Sequence, residues 1–386
     1  MPNPDKPQLL LVTRNFPPLT GGMERLMQHT AQGLAEWAQL SIVGPRGCSV
    51  WAPAGCEVVE VPASLGGFVT RGTLAAWRAC SRRRFDLVIG GSGLAAPSLR
   101  ALQLRFGVPT AVFVHGLDIV VDNLAYQTLF TPCLRGADLV IANSHNTMAL
   151  ACERGVAEKQ VSVVNPGTSI PDLSQVASRE DFCARYDIPF RQILLFAGRI
   201  TRRKGLSRFI ENCLATILAE KPEAGLVVVG DNPGDSLNQQ GEMGRVLERV
   251  ASLSLENKVR FLGQVSDADL LAAFAAADLQ VFPLLEIPGD VEGFGMVAIE
   301  AAACGTPTIA FHCGGVADAI SEDSGQLVPP GDYAEFTRRV LQQLEEQPAG
   351  QAVACRSHAE KYSWPRFHQH LHNALGPLLE PGKKQP

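Results

Sequence analysis

Short apolar runs separated by helical stretches recur twice along this chain, and that repeat narrows the choice of fold more than any single motif. The first set lies at Gln8 to Thr13, Leu40 to Val43, Val58 to Val61, Asp86 to Ile89, Thr110 to Val114 and Asp138 to Ala142. Each run is too short for a helix and nearly continuous in apolar residues. A strand that is apolar at almost every position is buried on both faces, the condition of a parallel sheet covered by helices. Residues 169–190 then lack a strand pattern and carry Pro171 and Pro189, as a linker does. Beyond them the alternation restarts at Gln192 to Ala197 and continues through Gly225 to Val229, Lys258 to Leu262, Asp278 to Phe282 and Thr306 to Phe311. At 386 residues the chain exceeds one ordinary core and suits two. The expected division is 1–170, a linker at 171–190, 191–362, and a C-terminal helix and tail at 363–386, the helix placed to pack back on the first half.

Charge and cysteine usage exclude several classes of function. A net charge of -5 argues against a general nucleic-acid binder. Residues 1–180 carry 15 Lys and Arg against 13 Asp and Glu, whereas residues 181–386 carry 19 against 26, so the two halves suit different partners. Ten cysteines are scattered without a Cys-x-x-Cys pair, which argues against a zinc knuckle or a thioredoxin-type site. No apolar run reaches membrane-spanning length, and the first residues lack the pattern of a signal peptide. The expected location is the cytosol.

Within the second half, Glu292-Gly-Phe-Gly-Met-Val-Ala-Ile-Glu300 sets two carboxylates around a glycine turn and the start of an alanine-rich helix. If that helix begins near Phe294, its first N–H groups lack helical partners and carry partial positive charge, so they suit an anion such as a diphosphate. Glu292 at the mouth and Glu300 about two turns along could each accept hydroxyls. A ligand that is anionic in its middle and hydroxylated at both ends has the shape of a sugar nucleotide. Glu300 has apolar and small neighbours, so it is expected to be half-buried and paired.

Other candidates stand where strands end. Gly198-Arg199-Ile-Thr-Arg-Arg-Lys204-Gly205 leaves the first strand of the second half, and Arg199 and Lys204 together suit two linked phosphates. Arg202 and Arg203 read as a solvated basic turn. His115 follows directly on the strand Thr110 to Val114, at the carboxyl end where ligands of open parallel sheets sit. Asn143-Ser-His-Asn and Asn165-Pro-Gly-Thr end later strands in the same way. Gly21 and Gly22 open the first helix, although no G-x-G-x-x-G is present, which counts against a dinucleotide-binding dehydrogenase. Asp267-Ala-Asp269 has a metal-site spelling but reads as a helix N-terminus after Ser266. His368, His370 and His372 read as a surface helix.

On Gly198-Arg199 with Lys204-Gly205, Glu292-Gly-Phe-Gly with Glu300, Pro17 to Gly22, His115 and Gly314-Gly315, the sequence resembles the retaining glycosyltransferases of family 4. The resemblance implies the GT-B fold, two doubly wound α/β Rossmann-like domains facing a central cleft. It implies transfer of a sugar from a nucleotide diphosphate sugar with retained anomeric configuration, no metal and no further cofactor. By that resemblance Arg199 and Lys204 hold the diphosphate, Glu300 takes the ribose hydroxyls, and Glu292 with the Gly293, Phe294, Gly295 and Met296 backbone holds the donor sugar. Gly22 touches the phosphate from the first domain, and His115 joins Glu292, Arg199 and Lys204 as a catalytic candidate. The stretch from Gly289 looks most like bacterial mannosyl-type transferases of cell-envelope and lipopolysaccharide synthesis. That makes GDP-mannose the first donor expected and a UDP-sugar the second, with a glycan or lipid-linked acceptor. Arg82, Arg83 and Arg84, with Leu74 and Trp77 alongside, would then offer a peripheral contact to an anionic membrane surface at its inner face. The rival reading is a nucleotide-sugar epimerase or hydrolase on the same scaffold; a non-catalytic sugar-nucleotide sensor is a third.

Overall fold

The computed structural model describes residues 6–231, 241–346 and 348–380. The chain divides into two compact units: Thr168–Ser363 forms one, and the residues before it together with the segment from Trp364 form the other. The tail at 381–386 lies outside the described residues.

The first unit holds seven strands, β1 (Gln8–Val12), β2 (Gln39–Pro45), β3 (Glu57–Val61), β4 (Leu87–Gly90), β5 (Thr110–Val114), β6 (Leu139–Ala142) and β7 (Val161–Val163). They pair side by side in the order β3-β2-β1-β4-β5-β6-β7, and every pairing is parallel. The second unit repeats the plan with β8 (Gln192–Ala197), β9 (Ala224–Val229), β10 (Val259–Gly263), β11 (Leu279–Phe282), β12 (Thr308–Phe311) and β13 (Gly325–Val328). Their order is β10-β9-β8-β11-β12-β13, again parallel throughout. In each unit the chain winds outward from its first strand, then crosses to that strand's other side. The crevice outside the carboxyl ends at this reversal is where ligands of doubly wound sheets bind. It lies between β1 and β4 in one unit and between β8 and β11 in the other.

The apolar strands are buried as their composition requires. In the second unit Leu194, Phe196, Leu226 and Val228 face one layer of core, and Ile193, Leu195, Val227 and Val229 face the other. Side chains alternate sides along a strand, so helices must cover both faces. Edge strands β7 and β13 are absent from the sequence reading. Each is only three or four residues long with a polar residue inside, Ser162 or Gln326, and so lacks the apolar run that marked the inner strands. Residues 171–190, read as a linker, carry helix Arg179–Arg185, whose Phe182 is buried in the second unit's core.

The last helix, Trp364–Leu379, packs on helix Gly22–Trp37 within the first unit. The ring of Trp364 stacks on His29 at 3.6 Å, and His368 Nδ1 lies 3.1 Å from Glu36 Oε1. His372 meets Trp37 edge-on. Of the three histidines read as a surface helix, His368 is thus drawn into helix packing, while His370 and His372 are exposed. Among the described residues no helix is long and apolar enough to cross a membrane, and no cluster of three or more His, Cys, Asp or Glu has metal-site geometry. Asp267 and Asp269 open helix Asp267–Ala276, where Ser266 Oγ accepts the Asp269 N–H at 3.1 Å.

Candidate active site

Three loops meet at the carboxyl ends of β8, β11 and β12, neighbours in the second sheet. The first, Gly198 to Gly205, is drawn against the end of β11: the Leu285 N–H donates to Arg203 O at 2.8 Å. Gly205 has φ +73°, and a Cβ there would fall 1.8 Å from Pro283 O, so only glycine permits the approach. The second loop leaves β11 and ends at Gly295, whose left-handed backbone (φ +96°) caps helix Met296–Ala303. The helix thus begins two residues later than the expected Phe294, because Gly295 stands outside the right-handed helical region. Phe294 is core, packed against Tyr362. The third loop follows β12, and its Gly315 N–H donates to Glu292 O at 2.8 Å, fixing the Glu292 backbone.

These loops bring Lys204 and Glu292 together. Lys204 Nζ donates to Glu292 Oε2 at 2.8 Å and lies 4.5 Å above the centre of the Phe282 ring, a cation–π contact. Arg203 corrects the sequence reading. It is buried rather than solvated, with 7% of its surface exposed; its Nε donates to Asp290 Oδ1 at 2.9 Å and its Nη1 to Glu292 Oε2. The four side chains form one network of two buried cations and two half-buried anions. Nothing in the local spelling separated Arg203 from Arg202, which is exposed. The distinguishing signal was Asp290, a second carboxylate two residues before Glu292.

Burial and charge set the protonation states. Burial alone would raise the Glu292 carboxyl, but Arg203 and Lys204 outweigh it and hold the group at about 2. Burial lowers Lys204 to about 8, with Glu292 opposing and the cations Arg203 and Arg199 assisting. Arg203 is held above its ordinary value because Glu292 and Asp290 overcome its desolvation. At neutral pH Glu292 is therefore a carboxylate facing the charged Lys204 and Arg203. Both cations bond to Oε2 of Glu292; Oε1 accepts none of the hydrogen bonds seen among the described residues. Arg199 is exposed, and Glu300 is half-buried on the helix. Thr201, 1% exposed, has an Oγ1 buried without a partner in the same loop, a feature that no spacing in the sequence signalled.

His115 and Gly22 belong to the first unit. His115 Nε2 donates to Gly91 O at 2.8 Å, and its backbone N–H donates to Asp118 Oδ1 at 2.8 Å. A carbonyl only accepts, so Nε2 carries a proton. Gly22 is exposed as the first residue of its helix. Beneath that turn the buried Asn15 Nδ2 donates to Glu24 Oε1 at 2.9 Å. The arginine cluster is less uniform than its sequence suggests. Arg83 pairs with Glu57 at 3.1 Å and lies over the Phe85 ring, and Trp77 packs edge-on against Phe106. Arg82 and Arg84 are exposed.

Two family models match this chain: glycosyl transferases group 1 over residues 191–346 and the glycosyl transferase 4-like domain over residues 21–167. A D-inositol 3-phosphate glycosyltransferase 2 of Catenulispora acidiphila is 33% identical over 332 residues, 80% of this chain and 74% of that relative. Among solved structures, sucrose-phosphate synthase of Thermosynechococcus elongatus superposes with a TM-score of 0.77 at 22% identity, covering 97% of this chain and 99% of the other. Anabaena Alr3699/HepE in complex with UDP-glucose superposes with a TM-score of 0.76 at 20% identity, covering 96% and 100%.

Proposed function

Since this chain belongs to the group 1 and 4-like glycosyltransferases, we propose that it moves a hexose from a nucleotide diphosphate sugar to a hydroxyl of a glycan or lipid-linked acceptor, with retained configuration and without a metal ion. The second unit takes the donor and the first unit takes the acceptor. The observation that carries this reading is the Arg203–Lys204–Glu292 network at the reversal point of the second sheet. Arg199 and Lys204 meet the diphosphate together with the N-terminal N–H groups of helix Met296–Ala303. As the glycosidic bond breaks, the departing diphosphate gains negative charge, and fixed cations and N–H groups stabilise that charge most in the transition state. Glu292 Oε1 accepts a hydroxyl of the donor sugar, and Glu300 accepts the ribose hydroxyls. The acceptor proton passes to the leaving phosphate, so no separate protein base is required.

GDP-mannose is the donor suggested by the stretch from Gly289, and a UDP-sugar is the alternative. The HepE structure, solved with UDP-glucose, supports the alternative. Thermal unfolding against a panel of nucleotide sugars separates the two, since a ligand at about 100 times its Kd adds about 2.7 kcal/mol. Protection by neither guanosine nor uridine diphosphate sugars overturns the donor assignment. We further propose a reversible contact with an anionic membrane surface. Exposed Arg71, Arg78 and Arg82 recur at helical spacing with Leu74 between them, beside exposed Arg84. Each basic group near such a surface contributes about 1 kcal/mol. Sedimentation with phosphatidylserine vesicles at low and high salt tests it.

A further inference from the structure

Beside the paired loops of the candidate active site, the second unit holds a cleft of about 620 Å³ that none of Arg199, Lys204, Glu292 and Glu300 lines. Its basic wall comes from three segments. Arg202 stands in the loop after β8, Arg208 in the helix that opens at Leu206, and Arg245 and Arg249 on helix Glu242–Ser252. Leu285, Glu286 and Ile287, from the loop after β11, form the facing wall. Four arginines thus meet three glutamates, Glu211, Glu242 and Glu286.

The carboxylates do not use up the arginines. Glu211 Oε2 accepts Arg208 Nη1 at 2.9 Å, its Oε1 lies 3.6 Å from Arg249 Nη2, and Glu242 Oε2 accepts Arg245 Nη1 at 3.1 Å. A guanidinium has five N–H donors, so most remain to be spent. Arg202 is exposed and pairs with no carboxylate among the described residues. Glu242, by contrast, is only 2% exposed, and its Oε1 accepts the Ser207 hydroxyl at 2.5 Å. That bond ties the two helices together and fixes the floor of the cleft. Guanidinium forks over a fixed floor suit a phosphate, which takes them two at a time. A bare phosphate would leave most of the cleft empty, since its volume is that of a small-molecule site. The rest of the lining says what else it holds. Glu286 is exposed, with no ion pair among the described residues, and accepts hydroxyls; Leu285 and Ile287 offer apolar surface to the C–H face of a ring.

We propose that this cleft binds a phosphate monoester of a sugar or polyol as an effector, and that its occupation tightens donor binding. The path to the donor site is short. Arg202 adjoins Arg203 in one loop, and Ile287 O accepts the Asp290 N–H at 3.0 Å in the other. The two loops are joined by Leu285 N–H to Arg203 O and by Arg203 Nε to Asp290 Oδ1. A ligand spanning Arg202 and Ile287 touches both loops, so it favours the arrangement that brings them together, which is the one that forms the Arg203–Lys204–Glu292 network. The coupling rests on the reading of that network as the donor site; the binding does not.

Isothermal titration calorimetry of the full chain with mannose 6-phosphate, inorganic phosphate and mannose tests the site. The expected result is a single site for the ester, binding of inorganic phosphate weaker by at least about five-fold, and none of mannose. Arg208→Gln combined with Arg249→Gln removes two forks from side chains that are 56% and 40% exposed, so the melting curve and basal turnover should hold while the ester weakens about ten-fold or more. Arg199→Ala, in the donor loop, should leave ester binding unchanged. At saturating ester the donor KM, measured with GDP-mannose or UDP-glucose, should fall about five-fold in wild type and stay fixed in the double variant. The proposal is overturned if mannose or inorganic phosphate binds as well as the ester, if the double variant binds the ester undiminished, if Arg199→Ala abolishes binding, or if the donor KM ignores the ester. Should neither nucleotide sugar serve as donor, the donor reading fails and the calorimetric result stands apart from it.

Discussion

Replacing Glu292 with Gln removes one negative charge from the network, leaving Arg203 paired with Asp290 alone and Lys204 without its carboxylate partner. Glu292 is nearly isosteric with Gln, so the perturbation is electrostatic. Its magnitude follows in two ways. The carboxyl drops from 4.5 in its ordinary state to about 2 in the fold, and at about 1.4 kcal/mol per unit this corresponds to roughly 3 kcal/mol of stability. Breaking a buried pair by removing one partner costs about 3–5 kcal/mol in general. The two agree. For a unit of this size that loss lowers the melting temperature by about 6–12 °C. The pH dependence has a definite sign. A carboxylate held below its unfolded value stabilises the fold above pH 4.5, and that contribution is lost as pH falls towards 2. Urea unfolding of wild type and E292Q at pH 7, 4.5 and 3.5 should show a gap of about 3 kcal/mol at pH 7 that narrows at 3.5. It should persist in 0.5 M salt, because buried pairs are weakly screened. Equal midpoints at pH 7, or a gap independent of pH, would refute the ionised network.

Lys204, lowered to about 8 by burial, should impose a fall in kcat/KM as pH rises through that value. The inflection in kcat should lie higher, because bound diphosphate favours the charged amine; a profile flat from pH 7 to 9.5 contradicts this, as does an unchanged inflection in Lys204→Arg. Arg199→Ala should cut turnover by on the order of 10²-fold with an unchanged melting curve, since Arg199 is exposed and its proposed role is to stabilise developing charge; near-wild-type turnover removes it from the site. Glu300→Gln should raise the donor KM more than it lowers kcat, because a ribose contact is made equally in ground and transition states. Exchange of Arg78, Arg82 and Arg84 for Ser should abolish salt-sensitive vesicle binding; equal sedimentation of variant and wild type shows that the stripe is only solvated.

The double repeat of apolar runs made both sheets readable, because strands buried on two faces leave a mark in local composition. Strands β7 and β13 escaped because an edge position demands less apolar area, and Ser162 and Gln326 are tolerated there. Lys204 and Glu292 were legible as separate motifs at strand ends. Their direct pairing was not, since they stand 88 positions apart and only the adjacency of β8 and β11 joins them. Arg203 was misread for the same reason: its burial depends on Asp290, contributed by another loop. Arg83 and Trp77 likewise resemble a surface patch in sequence and are drawn into packing by Glu57 and Phe106.

The most direct test of the central claim is the release of nucleoside diphosphate from GDP-mannose and from UDP-glucose, followed with and without a sugar or polyol acceptor, with the product's anomeric proton read by NMR. Glycosyl transfer with retention predicts that release depends on the acceptor, collapses in Lys204→Ala, continues in EDTA, and gives a product with the donor's α configuration. Isomerisation of the donor without any acceptor, or a β-linked product, would contradict it.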